Sequence, residues 1–146
     1  MKLHTSQRYV QDLDAASRRY ARMLELFNLF RNGASLLAEP EYRLPGITIE
    51  PIPPAKFIAR FLGKVVEFTF SYDHAAAHGV VAITSLSPEG DAIGPNWSFH
   101  FNAEGEVGDI EPRPNENLYN IQRETDAADI VLGALHIALT GTMEVI

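Results

Sequence analysis

From Val10 onward, apolar or small residues recur at Leu13, Ser17, Tyr20, Leu24 and Phe27, alternately three and four positions apart. That spacing is the helical period, and it lays a continuous stripe along one side of a helix. Met23 and Phe30 widen the stripe. Thr5 or Ser6 can cap its start, because a hydroxyl there accepts from a free amide of the first turn, and Asn32-Gly33 supplies a left-handed stop. Asp14 and Arg18 stand in the favourable order for an i,i+4 ion pair, Arg8 and Asp12 in the weaker one. The pattern predicts a helix of about 25 residues, roughly twice the usual length in a globular domain. Such a helix lies along a sheet or runs past it. Its short heptad run, fewer than three full heptads, could instead mark a dimer seam, so a homodimer through helix 1 is an alternative expectation.

After this helix the period changes from 3.6 to 2. Residues 34–38 add a further turn of helix, and Pro40 and Pro45-Gly46 punctuate the chain. Ile47-Thr48-Ile49-Glu50 reads as a short strand, and Pro51, Pro53 and Pro54 confine it to a sheet edge or a linker. Val66, Phe68, Phe70 and Tyr72 alternate with Val65, Glu67, Thr69 and Ser71, the pattern of a strand with one core face and one wet face. Gly63-Lys64 is the expected turn of the hairpin spanning residues 57–72. Residues 80–86 make a further strand, and a loop covers residues 87–95. Trp97, Phe99 and Phe101 then alternate with Ser98, His100 and Asn102. Gly105 turns the chain back, and residues 107–110 close the meander. A second helix, capped by Thr125 or Asp126, runs over residues 127–139, apolar on most sides and so expected to be buried. Its Gly133, Ala134 and Ala138 would permit close backbone approach. Gly141 ends it, and the apolar tail at residues 143–146 is expected to dock.

The expected fold is therefore α+β. It is a two-layer sandwich in which an antiparallel sheet of about five strands is flanked by a long N-terminal helix and a buried C-terminal helix, all in one domain over residues 1–146. A chain of this length buries roughly 70% of its unfolded surface, enough for a core without staples. It has no cysteine, which excludes disulfides, thiolate metal sites and cysteine nucleophiles together. No apolar run reaches the length of a signal peptide or a bilayer span, so no membrane association and a cytoplasmic location are the default expectations.

Charge is divided along the chain. Through residue 64 there are ten Lys/Arg against six Asp/Glu; beyond it, two against thirteen, so balances of +4 and −11 make up the net −7. An acidic field of this kind repels nucleic acid and favours a basic protein partner. The acidic residues concentrate at Glu104, Glu106, Asp109, Glu111, Glu116, Asp126 and Asp129, the candidate partner-binding set.

Chemical motifs are few. His74 and His78 stand four apart and would face one way on a helical turn, where a divalent metal could bind with His100 or Asp73. No glutamate follows His74 as zinc peptidases require, and two histidines flanking alanines are more simply a solvated loop. His100 points away from the core and could act as a general base if a carboxylate oriented it, with Glu67 on a neighbouring strand as candidate. His136 reads as a hydrogen-bonded core histidine. The Glu104–Glu111 run lacks the spacing of a calcium loop, and no phosphate loop, dinucleotide fingerprint or nucleophile elbow is present. Arg8, Arg18, Arg19 and Arg22 give helix 1 a basic flank without the aromatic platform of a nucleic-acid site.

The sequence thus favours a non-catalytic protein-binding module of the inhibitor, immunity, anti-defence or chaperone kind, using its acidic surface against a basic partner. No catalytic residue, cofactor or metal is assigned. The alternative is a small metal- or ligand-dependent enzyme using His100 or the His74/His78 pair.

Overall fold

The computed structural model describes residues 1–42 and 44–141; the tail expected to dock lies outside them. Two helices pack on one face of a six-stranded, wholly antiparallel meander. The first helix, α1, spans Ser6–Ala34, and a 3-10 turn follows at Ser35–Ala38. The strands are β1 (Thr48–Ile52), β2 (Lys56–Phe61), β3 (Lys64–Asp73), β4 (His78–Leu86), β5 (Ala92–Phe101) and β6 (Val107–Gly108), arranged in chain order. The second helix, α2, spans Glu124–Thr140. Among the described residues, no helix is long and apolar enough to cross a membrane.

Thr5 caps α1 as expected, its Oγ1 accepting from the Arg8 amide. The stop differs. Asn32-Gly33 does not break the helix, because Gly33 is buried where α1 meets α2. A β-carbon on Gly33 would lie 2.9 Å from that of Ala127 and 3.1 Å from the Glu124 α-carbon. The glycine is there for close helix packing rather than for a left-handed turn. The stripe also divides. Met23, Leu26, Phe27 and Phe30 are buried, whereas Val10, Leu13 and Tyr20 are exposed, so the first turns of α1 run past the sheet.

The alternation in β3 works as expected: Val66, Phe68 and Phe70 are buried on the helix side. There Phe57 and Phe68 stack at 4.5 Å, and Phe30 reaches Phe57, Phe68 and Phe99 at 5.5–6.0 Å. Burying each such ring contributes about 1.5–3 kcal/mol, and the edge-to-face pairs add to it. The hairpin turn falls one residue earlier than expected. Phe61 pairs with Lys64, and both Leu62 (φ 50°) and Gly63 (φ 77°) are left-handed, the backbone of a type I′ turn. Only Gly63 was legible as such a position, because leucine rarely adopts it.

β1 is an edge strand, as its prolines require. β5 begins earlier than the sequence suggests. It takes in Ile93 and Gly94-Pro95 through a register shift between Ile83 and Ser85 on β4, so the expected loop shrinks to residues 87–91. α2 starts at Glu124 with Arg123 at the N-cap, its side chain capping no amide but reaching Asp126 at 3.7 Å, rather than with Thr125 or Asp126. Gly141 (φ 72°) ends it as expected, its amide donating to the Ile137 carbonyl. α2 is buried on one side only: Asp129, Gly133, His136 and Leu139 face outward. The reading of His136 as a core histidine is corrected accordingly.

Candidate functional site

The register fixes what lies on the sheet face away from the helices. Ser71 pairs with Val80 and Val80 with His100; Thr69 pairs with Ala82 and Ala82 with Ser98. Glu67, Thr69, Ser71, Ser98 and His100 therefore share the outer face, as their alternation predicts. Glu67 is too far away to orient His100, since β4 lies between their strands and Glu67 pairs opposite Thr84. It meets Lys56 at 3.3 Å and the Thr69 hydroxyl instead.

The carboxylate on His100 is Asp109, whose Oδ2 is 2.5 Å from Nδ1. Asp109 reaches it because its own backbone is left-handed (φ 71°), which swings the chain around just after β6. Gly108 makes room for the ring, since a β-carbon there would sit 2.2 Å from His100 Nε2. His78 stacks on the other side, with ring centres 4.5 Å apart and planes 11° from parallel.

This arrangement corrects the helical-turn reading of residues 73–78. Asp73 pairs with His78 across the β3–β4 turn, so the segment is a hairpin connection. His74 turns to the Tyr72 hydroxyl at 3.2 Å, away from His78. Nor can His78 and His100 chelate one ion, because a ligated metal lies in the plane of each imidazole and these planes are nearly parallel. Among the described residues, no group of three or more His, Asp or Glu is placed to hold a metal.

The seven acidic residues fall into three groups. Glu104 and Glu106 stand on the turn at residues 102–106, where Glu106 accepts from the Asn102 side-chain amide at 3.0 Å. Glu116, Asp126 and Asp129 surround Arg113, which bonds to all three. Asp126 is 5% exposed and also accepts from the Asn120 amide at 3.0 Å, so it ties residues 113–123 to α2. The Arg113 guanidinium is held more strongly protonated than usual, chiefly by its bond to Asp129, and it lies 4.4 Å over the Tyr119 ring. The third group faces a groove.

That groove, of about 260 Å³, lies between β5, the segment following β6 and the outward side of α2. Trp97, Ile110, Tyr119, Ile130 and Ile137 form its apolar walls, and Asp109, Glu111 and Asp129 stand among them. Glu111 makes no ion pair among the described residues, while Asp109 bonds to the His100 ring and Asp129 to the Arg113 guanidinium. Gly133 also lines the groove, and a β-carbon built on it would meet nothing within 4 Å. The close approach expected at Gly133 is thus found at Gly33, and Gly133 leaves open space instead. A glycine inside a helix costs about 1 kcal/mol relative to alanine, here without any packing return inside the chain.

The acidic members of this site were legible from composition; its apolar walls were not. Trp97 reads in sequence as one more inward residue of its strand, and nothing marks Gly133 as facing a void. The basic flank of α1 is partly occupied: Arg18 bonds to Asp14, and Arg22 reaches Glu25 at 3.7 Å and the Ala103 carbonyl at 3.3 Å. Compared with known protein families, curated proteins and solved structures, the chain matches none at a significant level.

Proposed function

We propose that this chain is a non-catalytic protein-binding module that seats a basic and partly apolar segment of a partner protein in the groove beside α2. The observation that carries this reading is the coincidence of apolar walls with three carboxylates, Asp109, Glu111 and Asp129, in one groove. Apolar side chains of the segment would displace water from Trp97, Ile110 and Ile130, while its Lys or Arg would meet the carboxylates. Glu111 is the first of these, because it has no cation of its own to give up. The groove's volume falls below the roughly 300–1,000 Å³ usual for free small ligands, which favours one or two side chains over a cofactor. The net charge of −7 adds long-range attraction for a basic partner and makes encounter salt-sensitive. In this reading Glu104 and Glu106 contribute field at a distance, and Glu116 and Asp126 mainly hold the fold around Arg113.

Trp97 is the chain's single tryptophan and lines the groove, so it reports occupancy without a label. Synthetic peptides that interleave Lys or Arg with Leu or Phe are expected to shift its emission saturably, and more weakly as salt rises. Acidic peptides of the same apolar content should leave it unchanged. Equal response to both peptide sets, or binding indifferent to salt, would refute the proposal.

A further inference from the structure

We infer that the partner segment binds as an extended strand, adding to the open edge of β5 opposite Ser98 and sending alternate side chains into the groove. This rests on the groove reading above and states the conformation in which the segment is held. β5 is 10 residues long, yet β6 pairs only with its end, Gly108 opposite His100 and Val107 opposite Phe101. The chain then leaves the sheet at Asp109, whose left-handed backbone (φ 71°) turns it away. Among the described residues no other strand lies along that side of β5. Successive residues of a strand aim their N–H and C=O groups to opposite sides. The Asn102 amide donates to the Glu106 carbonyl across the β5–β6 turn, at 3.1 Å. Asn102, His100 and Ser98 therefore aim their backbone groups to the β6 side, while Trp97 and Phe99 aim theirs at β4. Ser98, itself exposed, presents an amide and a carbonyl to an edge that β6 does not reach.

An open edge holds a strand when backbone bonds supply affinity and pockets receive alternate side chains. A residue opposite Ser98 exchanges both backbone bonds with it, and its two neighbours point to the helix side, where Trp97 lines the groove. Those neighbours stand two positions apart, about 6.8 Å. One of them, apolar, packs on Trp97 and Ile130 in the space over Gly133; the other, Lys or Arg, meets Glu111. The recognised pattern is thus an apolar and a basic residue flanking a single position. The other edge of the sheet is blunted, because β1 carries Pro51 and Pro53-Pro54 follows it. On β5 the register shift and Gly94-Pro95 confine the regular open run to residues 96–99, which suits about three residues of a partner. A second copy is a poor occupant, since pairing two β5 edges would bring two sets of Asp109, Glu111 and Asp129 to one seam.

The test is amide hydrogen exchange by NMR on the full chain, with a synthetic peptide in which Leu and Lys stand two apart and an isomer in which they stand three apart. In the free chain the Ser98 amide should exchange at least about tenfold faster than those of Trp97 and Phe99, and saturating peptide should slow it at least about tenfold. The isomer should bind at least about tenfold more weakly, because a strand sends its Leu and Lys to opposite faces. N-methylation of the peptide residue between Leu and Lys removes the amide that meets Ser98 and should also weaken binding about tenfold. N-methylation of the Leu, whose amide points away from β5, should have little effect. A peptide that shifts Trp97 emission but leaves Ser98 exchange unchanged would sink the strand inference and leave the groove reading standing. Failure of every basic amphipathic peptide to shift Trp97 would sink both. Protection of Ser98 that grows with the concentration of the peptide-free chain would give the edge to a second copy and overturn the inference as well.

Discussion

Replacing glycine by alanine should have opposite effects in the two helices, and the pair of substitutions tests how the groove is built. At Gly133 the new methyl group meets nothing within 4 Å, and the backbone is already helical. The change then acts through helix propensity alone and should stabilise by about 1 kcal/mol. For a chain of this size that is a rise in Tm of about 2–4 °C. At Gly33 the same methyl would sit 2.9 Å from the Ala127 β-carbon and 3.1 Å from a backbone atom, and neither can swing away. The helices must separate, and overpacking of this kind costs about 1–3 kcal/mol, which outweighs the propensity gain. Gly133→Leu extends the argument. Leucine is nearly as good a helix former as alanine, so stability should still rise, while its side chain fills much of the 260 Å³ groove and peptide binding falls. Urea denaturation followed by Trp97 emission and by circular dichroism reads all three variants. If Gly133→Ala destabilises, that position is not open to solvent and the groove as described is wrong.

Other perturbations separate the remaining interactions. Phe30→Ala removes the ring that touches Phe27, Phe57, Phe68 and Phe99, and should cost about 3–5 kcal/mol in urea denaturation; a loss below 1 kcal/mol would contradict the central place given to it. Arg113→Met leaves the buried Asp126 with only the longer of its two guanidinium contacts, Arg123 at 3.7 Å, and frees Glu116 and Asp129; it should destabilise by about 2 kcal/mol. The interaction is ionic and partly exposed, so high salt should narrow the difference between wild type and variant; a difference independent of salt would refute the ion-pair account. Gly108→Ala drives a methyl into the His100 ring and should shift the NMR ring-proton resonances of His78 and His100 together, leaving those of His4 and His136 in place.

How much of this was legible in the sequence depended on whether the signal was local. Period-2 alternation at Val66, Phe68 and Phe70 reports directly on a two-sided sheet, so the strand and its core face were readable. The long helix was readable for the same reason, yet the apolar stripe could not say that Val10 and Leu13 lie beyond the sheet, because the periodicity of a covered face and of a free one is identical. Gly33 and Gly133 show the limit most clearly. Each is a glycine in a helix; one is packed against a neighbouring backbone and the other faces open space, a difference that only the third dimension contains. Asp109 was marked as acidic, but its bond to His100 depends on a left-handed backbone that sequence does not announce. Glu116, Asp126 and Asp129 look in sequence like surface charge, whereas Arg113 draws them into one network.

The central claim is that a partner's cation meets the groove carboxylates beside an apolar wall, and a charge swap tests it most directly. Affinities would be measured for wild type and Glu111→Lys, each against a Lys-bearing amphipathic peptide and its Lys→Glu counterpart, at low and high salt. The account predicts that Glu111→Lys weakens the Lys peptide at least about tenfold, restores binding of the Glu peptide in part, and that high salt narrows both differences. If the two changes are simply additive, with no recovery in the doubly reversed pair, the carboxylates do not contact the partner and the proposed site is wrong.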